Sequence, residues 1–147
     1  MTATTEVEVS GDWERQHFIL PGPPCVAPRP RVSKWGTYYP KKYTNWKKDT
    51  EAALPVLPEE FQRAAHVEIH LAFFIEHART SKLTRPSGDF DNYAKAICDV
   101  LTKNGFWKDD VDVVTASITK RFVETGREPY TEVTVLRSEP DRILYSD

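Results

Sequence analysis

Val67, Ile69, Leu71, Phe73 and Ile75 recur at every second position, with Glu68, His70 and Glu76 on the opposite phase. That period fits a strand with one buried face and does not fit a helix. Such a strand needs a cover for its apolar face, and the next regularly spaced stretch supplies one. Ala94, Ile97, Cys98 and Leu101 form an apolar stripe at helical spacing across residues 91–103, and Asn104-Gly105 provides the stop. Residues 111–122 then read as a second strand, with Val114, Ala116 and Ile118 in phase. The centre of the chain is strand, helix, strand.

The flanks add further elements. Residues 1–15 are polar and acid-leaning and read as a loose tail. His17-Phe18-Ile19-Leu20 makes a short strand, stopped by Pro21-Gly22-Pro23-Pro24. Residues 29–43 suggest a hairpin turning at Trp35-Gly36-Thr37, and Thr44 can cap a helix that Pro55 ends. Residues 77–88 form a long polar loop, and Tyr130 to Leu136 is a last strand after a turn at Glu124-Thr125-Gly126. The order predicts an α+β fold, a mixed or antiparallel sheet with two main helices packed on one side. One domain is expected over 16–138, between tails at 1–15 and 139–147.

Composition narrows the function. At 147 residues and 39% hydrophobic content the chain can bury one core. Cys25 and Cys98 are too few for a disulfide framework or a zinc site, which suggests a reducing, cytoplasmic setting. No signal peptide and no apolar run of the ~20 residues that span a bilayer is visible, so a membrane role is not expected. The four histidines have no ligand spacing, and no nucleophile motif frames a Ser or Cys.

Chemistry concentrates in two acidic clusters, Asp89-Phe90-Asp91 and Asp109-Asp110, either side of the central helix. Each alone has a plain reading, the first as a helix cap and the second as a turn. Together they read as a metal site. Carboxylates brought to ~4 Å repel by about 4 kcal/mol per pair at a protein surface, so a fold that gathers three needs a cation or trapped protons. Hard oxygen donors without a matching His or Cys set suit Mg²⁺, with Mn²⁺ as a substitute. Helix and strand geometry permits the two clusters to meet but does not require it. Lys95, one turn after Asp91, is either an ion-pair partner or a cation for charge developing on a phosphate.

A net charge of −2 gives no general affinity for nucleic acid, so DNA binding requires local segregation of charge. Arg29, Arg31, Lys34, Lys41, Lys42, Lys47 and Lys48 lie in twenty residues without an acid, interleaved with Trp35, Tyr38, Tyr39, Tyr43 and Trp46. Such a run is either a lysine-protected edge hairpin or a patch that tracks phosphates and stacks on bases. The loop at 77–88 adds Arg79, Lys82 and Arg85.

The stretch DFDNYAKAICDVLTKNGFWKDDVDVVTASITK, residues 89–120, closely resembles the RusA family of Holliday junction resolvases, and FILPGPP with the RPR segment extends the likeness across most of 17–136. Members are small homodimeric endonucleases, often phage or prophage encoded. The resemblance implies that Asp89, Asp91 and Asp110 bind Mg²⁺, that Lys95 is the family's functional lysine, and that Lys120, at a matching basic position, contacts DNA. It also implies that the family fold returns the DD turn to the start of the D-x-D helix, and that the dimer cuts a four-way junction symmetrically with a metal-activated water. Asp112 departs from the Gln frequent in the family. A less selective nuclease for flaps and forks, a junction binder that has lost turnover, and a chain whose acids bind only a structural cation are the alternatives.

Overall fold

The period-two run forms β5, His66–Ile75, with Val67, Ile69, Leu71 and Phe73 buried and the alternate residues half exposed. The computed structural model describes residues 3–10, 13–29, 31–57, 66–138 and 143–146. Chain order is β1 (Thr5–Ser10), β2 (Trp13–Pro21), β3 (Arg31–Ser33), β4 (Gly36–Tyr38), α1 (Lys41–Ala53), β5, α2 (Phe90–Lys103), β6 (Val113–Phe122) and β7 (Tyr130–Ser138). A 3₁₀ turn, Asp110–Asp112, leads into β6. The fold is α+β, as the sequence predicts.

Five strands make a mixed sheet in the order β1-β2-β7-β5-β6, and β3 pairs with β4 in a separate hairpin. Only β5 and β6 run parallel; the other neighbours are antiparallel. The parallel pair needs a crossover, and α2 provides it. Its apolar stripe meets the sheet: Tyr93, Ile97 and Leu101 share one core cluster with Phe18, Leu71, Phe73 and Val133, and α1 adds Trp46 and Ala53 to the same side. The other sheet face is polar, with His17 against Glu132 at 3.4 Å and His70 against Glu68 at 2.7 Å. Phe74, out of phase on β5, stacks on Tyr130 of that face at 4.5 Å between centroids.

Two expectations change, and a third lies partly outside the described residues. The supposed loose tail contains β1, because Val7 and Val9 alternate with Glu6 and Glu8, and its backbone pairs along β2 from Thr5–Phe18 to Ser10–Trp13. Its acids had masked a period of two. Helix α1 starts three residues before Thr44, since Pro40 carries a fixed φ of −56° at the cap position. Thr44 instead bonds back to the Lys41 carbonyl at 2.9 Å. The tail expected at 139–147 falls partly outside the described residues, and Ile143 to Ser146 have no regular structure. No described helix is long and apolar enough to cross a membrane.

Candidate functional site

Because α2 crosses between parallel strands, it runs against them, and its two ends lie at opposite ends of those strands. Asp89 occupies the N-cap position of α2, yet its carboxylate makes no capping hydrogen bond, and Asp91 follows in the first turn. Both are exposed. Two oxygen donors are thus uncommitted at the positive end of a helix.

Asp110 lies at the other end. Trp107 Nε1 donates to Thr102 Oγ1 at 2.7 Å, and that hydroxyl donates to Asp110 Oδ1 at 2.5 Å. Trp107 is buried, so this relay fixes the carboxylate beside the last turn of α2. Thr102 stands eleven residues beyond Asp91, about 16 Å along a helix rising ~1.5 Å per residue. Cys98 senses the same carboxylate: burial first, then Asp110 and Asp99, push its thiol up to about 12. One chain therefore does not gather the three aspartates. Among the described residues no group of three His, Cys, Asp or Glu could hold a metal ion. The donor chemistry suits Mg²⁺, but the placement within a single chain does not.

The neighbouring acids serve the turn. Asp109 accepts from the Val111 amide at 3.1 Å while the Asp109 amide donates to Asp112 at 3.3 Å, a reciprocal capping box. Asp112 is a structural partner of that turn. Lys95 pairs with Asp99 at 3.2 Å on an exposed face, a contact worth a few tenths of a kcal/mol. Its ammonium is readily released to an anion.

The basic residues gather at the Asp89 end. Glu51 of α1 pairs with Lys103 of α2 at 3.1 Å, and the segment through Cys25, which interacts with both Lys42 and Tyr93, bonds the start of α2 through the Ala27 amide and the Asn92 carbonyl at 2.9 Å, so the start of α1 lies near the start of α2. Their N-termini share one end of the molecule. Helix α1 begins Lys41-Lys42 with no acid in its first turn, against the dipole preference. Arg29, Lys34, Lys41, Lys42, Arg79, Lys82 and Arg85 are exposed, and Lys47 lies over the Tyr43 ring at 5.6 Å. The Arg31 side chain falls outside the described part.

Lys120 differs from these. From the far end of β6 its ammonium donates to the carbonyls of Pro86 at 2.8 Å and Gly88 at 2.5 Å. Gly88 has no room for a side chain, since a Cβ there would meet the Tyr93 ring at 2.6 Å. The approach to Asp89 is thereby held from two sides. Sequence reasoning placed Lys120 on DNA; nothing in its surroundings in sequence signals these carbonyls. Lys120→Met is expected to lower the melting temperature and to leave the slope of log affinity for DNA against log salt unchanged. Loss of a true phosphate contact, as expected for Lys41→Ala, lowers that slope by about 0.9.

A model of the endodeoxyribonuclease RusA family matches residues 21–136, most of the chain. The chain belongs to the RusA family. RusA membership makes it an endodeoxyribonuclease of a family that acts on branched DNA junctions. No curated protein matches it.

Proposed function

We propose that the chain resolves Holliday junctions as a homodimer, by paired, symmetric hydrolysis of two phosphodiesters with Mg²⁺, Mn²⁺ being a substitute. The observation that carries this reading is the meeting of two carboxylates without a side-chain partner among the described residues, Asp89 and Asp91, with a basic run over 29–48 that holds no acid and is tied to the start of α2 through Ala27 and Asn92. The patch holds flanking phosphates, and the carboxylates face the scissile one. Lys95, freed from Asp99, stabilises charge developing on that phosphate.

The third carboxylate comes from a second copy. Strand β6 is the last of its sheet and offers a backbone edge ten residues long. Asp110 precedes it and Arg121 closes it, so antiparallel pairing of two copies brings the acidic start of one strand to the basic end of the other. Centred on Ala116, such pairing sets the partner's Asp112 opposite Lys120 and the partner's Asp110 level with Phe122. That is the edge where Lys120 holds the backbone before Asp89. Asp89, Asp91 and the partner's Asp110 would then supply the hard oxygen donors that Mg²⁺ takes, and a bound ion would supply neutralisation of charge at the phosphate. A two-fold dimer also matches the symmetry of the junction.

The deciding experiment is cleavage of a mobile synthetic four-way junction against linear duplex, with Mg²⁺ and with EDTA. Paired symmetric nicks on the junction alone, lost in EDTA, are expected. Equal cleavage of flaps and forks would make it a general branched-DNA nuclease, and binding without cutting would make it a junction-binding protein.

A further inference from the structure

The hairpin β3–β4 stands apart from the core. It packs closely only on itself, and its strands are three residues each. At its turn Trp35 is 85% exposed, and Val32, paired across the hairpin with Thr37, is 82% exposed. The other tryptophans behave otherwise: Trp107 is buried, Trp46 packs against the core and Trp13 is 37% exposed. An indole left in water contributes nothing to the fold, and the hairpin closes without it through Ser33, whose hydroxyl bonds the Gly36 carbonyl at 3.3 Å. Gly36 takes a φ of +122°, so the turn depends on the glycine and not on its neighbour.

The surroundings of Trp35 suit a nucleic acid. Lys34 lies 5.1 Å from its ring centroid, and no acid occurs between Arg29 and Lys48. Among the described residues no other aromatic ring meets it. The hairpin also springs from the functional end: the Ala27 amide donates to the Asn92 carbonyl in the first turn of α2 at 2.9 Å. Eight residues separate Ala27 from Trp35, a reach of at most about 28 Å, enough to cross the ~20 Å width of a duplex that sits on Asp89.

We propose that Trp35 is a base-stacking residue that reads the branch point, placing its indole on a nucleobase that has lost its neighbour there. A closed duplex offers no free base face, so the contact favours branched DNA, while the lysines serve duplex and junction alike. This rests on the junction-nuclease reading and adds to it the source of its structure selectivity. Within the basic run the other rings differ, since Tyr39, Tyr43 and Trp46 pack on one another and Tyr38 is 50% exposed against 85% for Trp35.

The test measures anisotropy of labelled junction and labelled duplex in EDTA, which removes cleavage, with Trp35→Ala and Trp35→Phe beside the natural chain. Trp35→Ala is expected to lose about tenfold in junction affinity, within the range found per stacked base, and to keep its duplex affinity. Trp35→Phe keeps most of the difference. A 2-aminopurine at the branch should be quenched by the natural chain and not by Trp35→Ala. Equal junction affinity of Trp35→Ala and the natural chain would overturn the inference. So would an equal loss on both DNAs, or a Trp35→Ala chain that sediments at half the natural mass, which would place the indole between copies. If the natural chain itself does not distinguish junction from duplex, the junction reading fails first.

Discussion

Asp91→Asn is expected to abolish cleavage of a four-way junction while leaving its affinity for that junction intact or raised. Asp91 is exposed in the first turn of α2, and no packing or hydrogen bond depends on its charge. The substitution is nearly isosteric, so the fold is retained; the loss of a helix-dipole contact costs about 0.5 kcal/mol. What is removed is one charged oxygen of the pair facing the phosphate. A cation site of this kind supplies several kcal/mol to the transition state, so the rate falls roughly 1000-fold, the equivalent of about 4 kcal/mol. Removing a negative charge beside the basic patch cannot weaken DNA binding. A single-turnover cleavage assay and a gel-shift titration in EDTA check the two halves separately. Full cleavage by Asp91→Asn would sink the assignment; loss of binding together with cleavage would show that the variant misfolds.

The architecture was legible because its central elements carry clean periods. β5 alternates without a break, and the stripe of α2 repeats at helical spacing up to Asn104-Gly105, so these two elements followed from side-chain phase, whereas β6, an edge strand, leaves Val114 and Ala116 of its expected phase exposed. β1 was hidden because it is an edge strand whose outward positions are Glu6 and Glu8, and acids in a short chain segment read as a tail. The site was half legible. A D-x-D at a helix start announces itself, but the separation of Asp110 from Asp91 is a tertiary fact. It follows from the parallel pairing of β5 with β6, which places the two ends of the crossover helix at opposite ends of the strands, and no local pattern encodes strand order. The family likeness suggested that the DD turn returns to the helix start; within one chain Thr102 and Trp107 hold it at the other end. The capping box of Asp109 and Asp112, by contrast, is a local device whose spacing is visible in the sequence once the turn is known.

Mixing two inactive variants is expected to restore cleavage, and this outcome separates a site built across two chains from one built within each. Let one chain carry Asp91→Asn and the other Asp110→Asn. If every site draws Asp89 and Asp91 from one copy and Asp110 from its partner, a mixed dimer has one site with both lesions and one with none. Random exchange of equal amounts makes half of all dimers mixed. The mixture then nicks one strand of the junction with about a quarter of the natural number of active sites, but it cannot make the paired cut that releases two linear products. If each chain builds its own site, every site in every dimer carries a lesion, and the mixture stays as inactive as its components. The readout is the ratio of nicked to resolved junction, on a gel, after the two variants have been unfolded and refolded together. Nicks without resolution would establish the shared site and fix Asp110 as the residue that each copy lends. Silence from the mixture, with both variants shown to dimerise, would require Asp110 to leave Thr102 and swing along α2 when DNA binds.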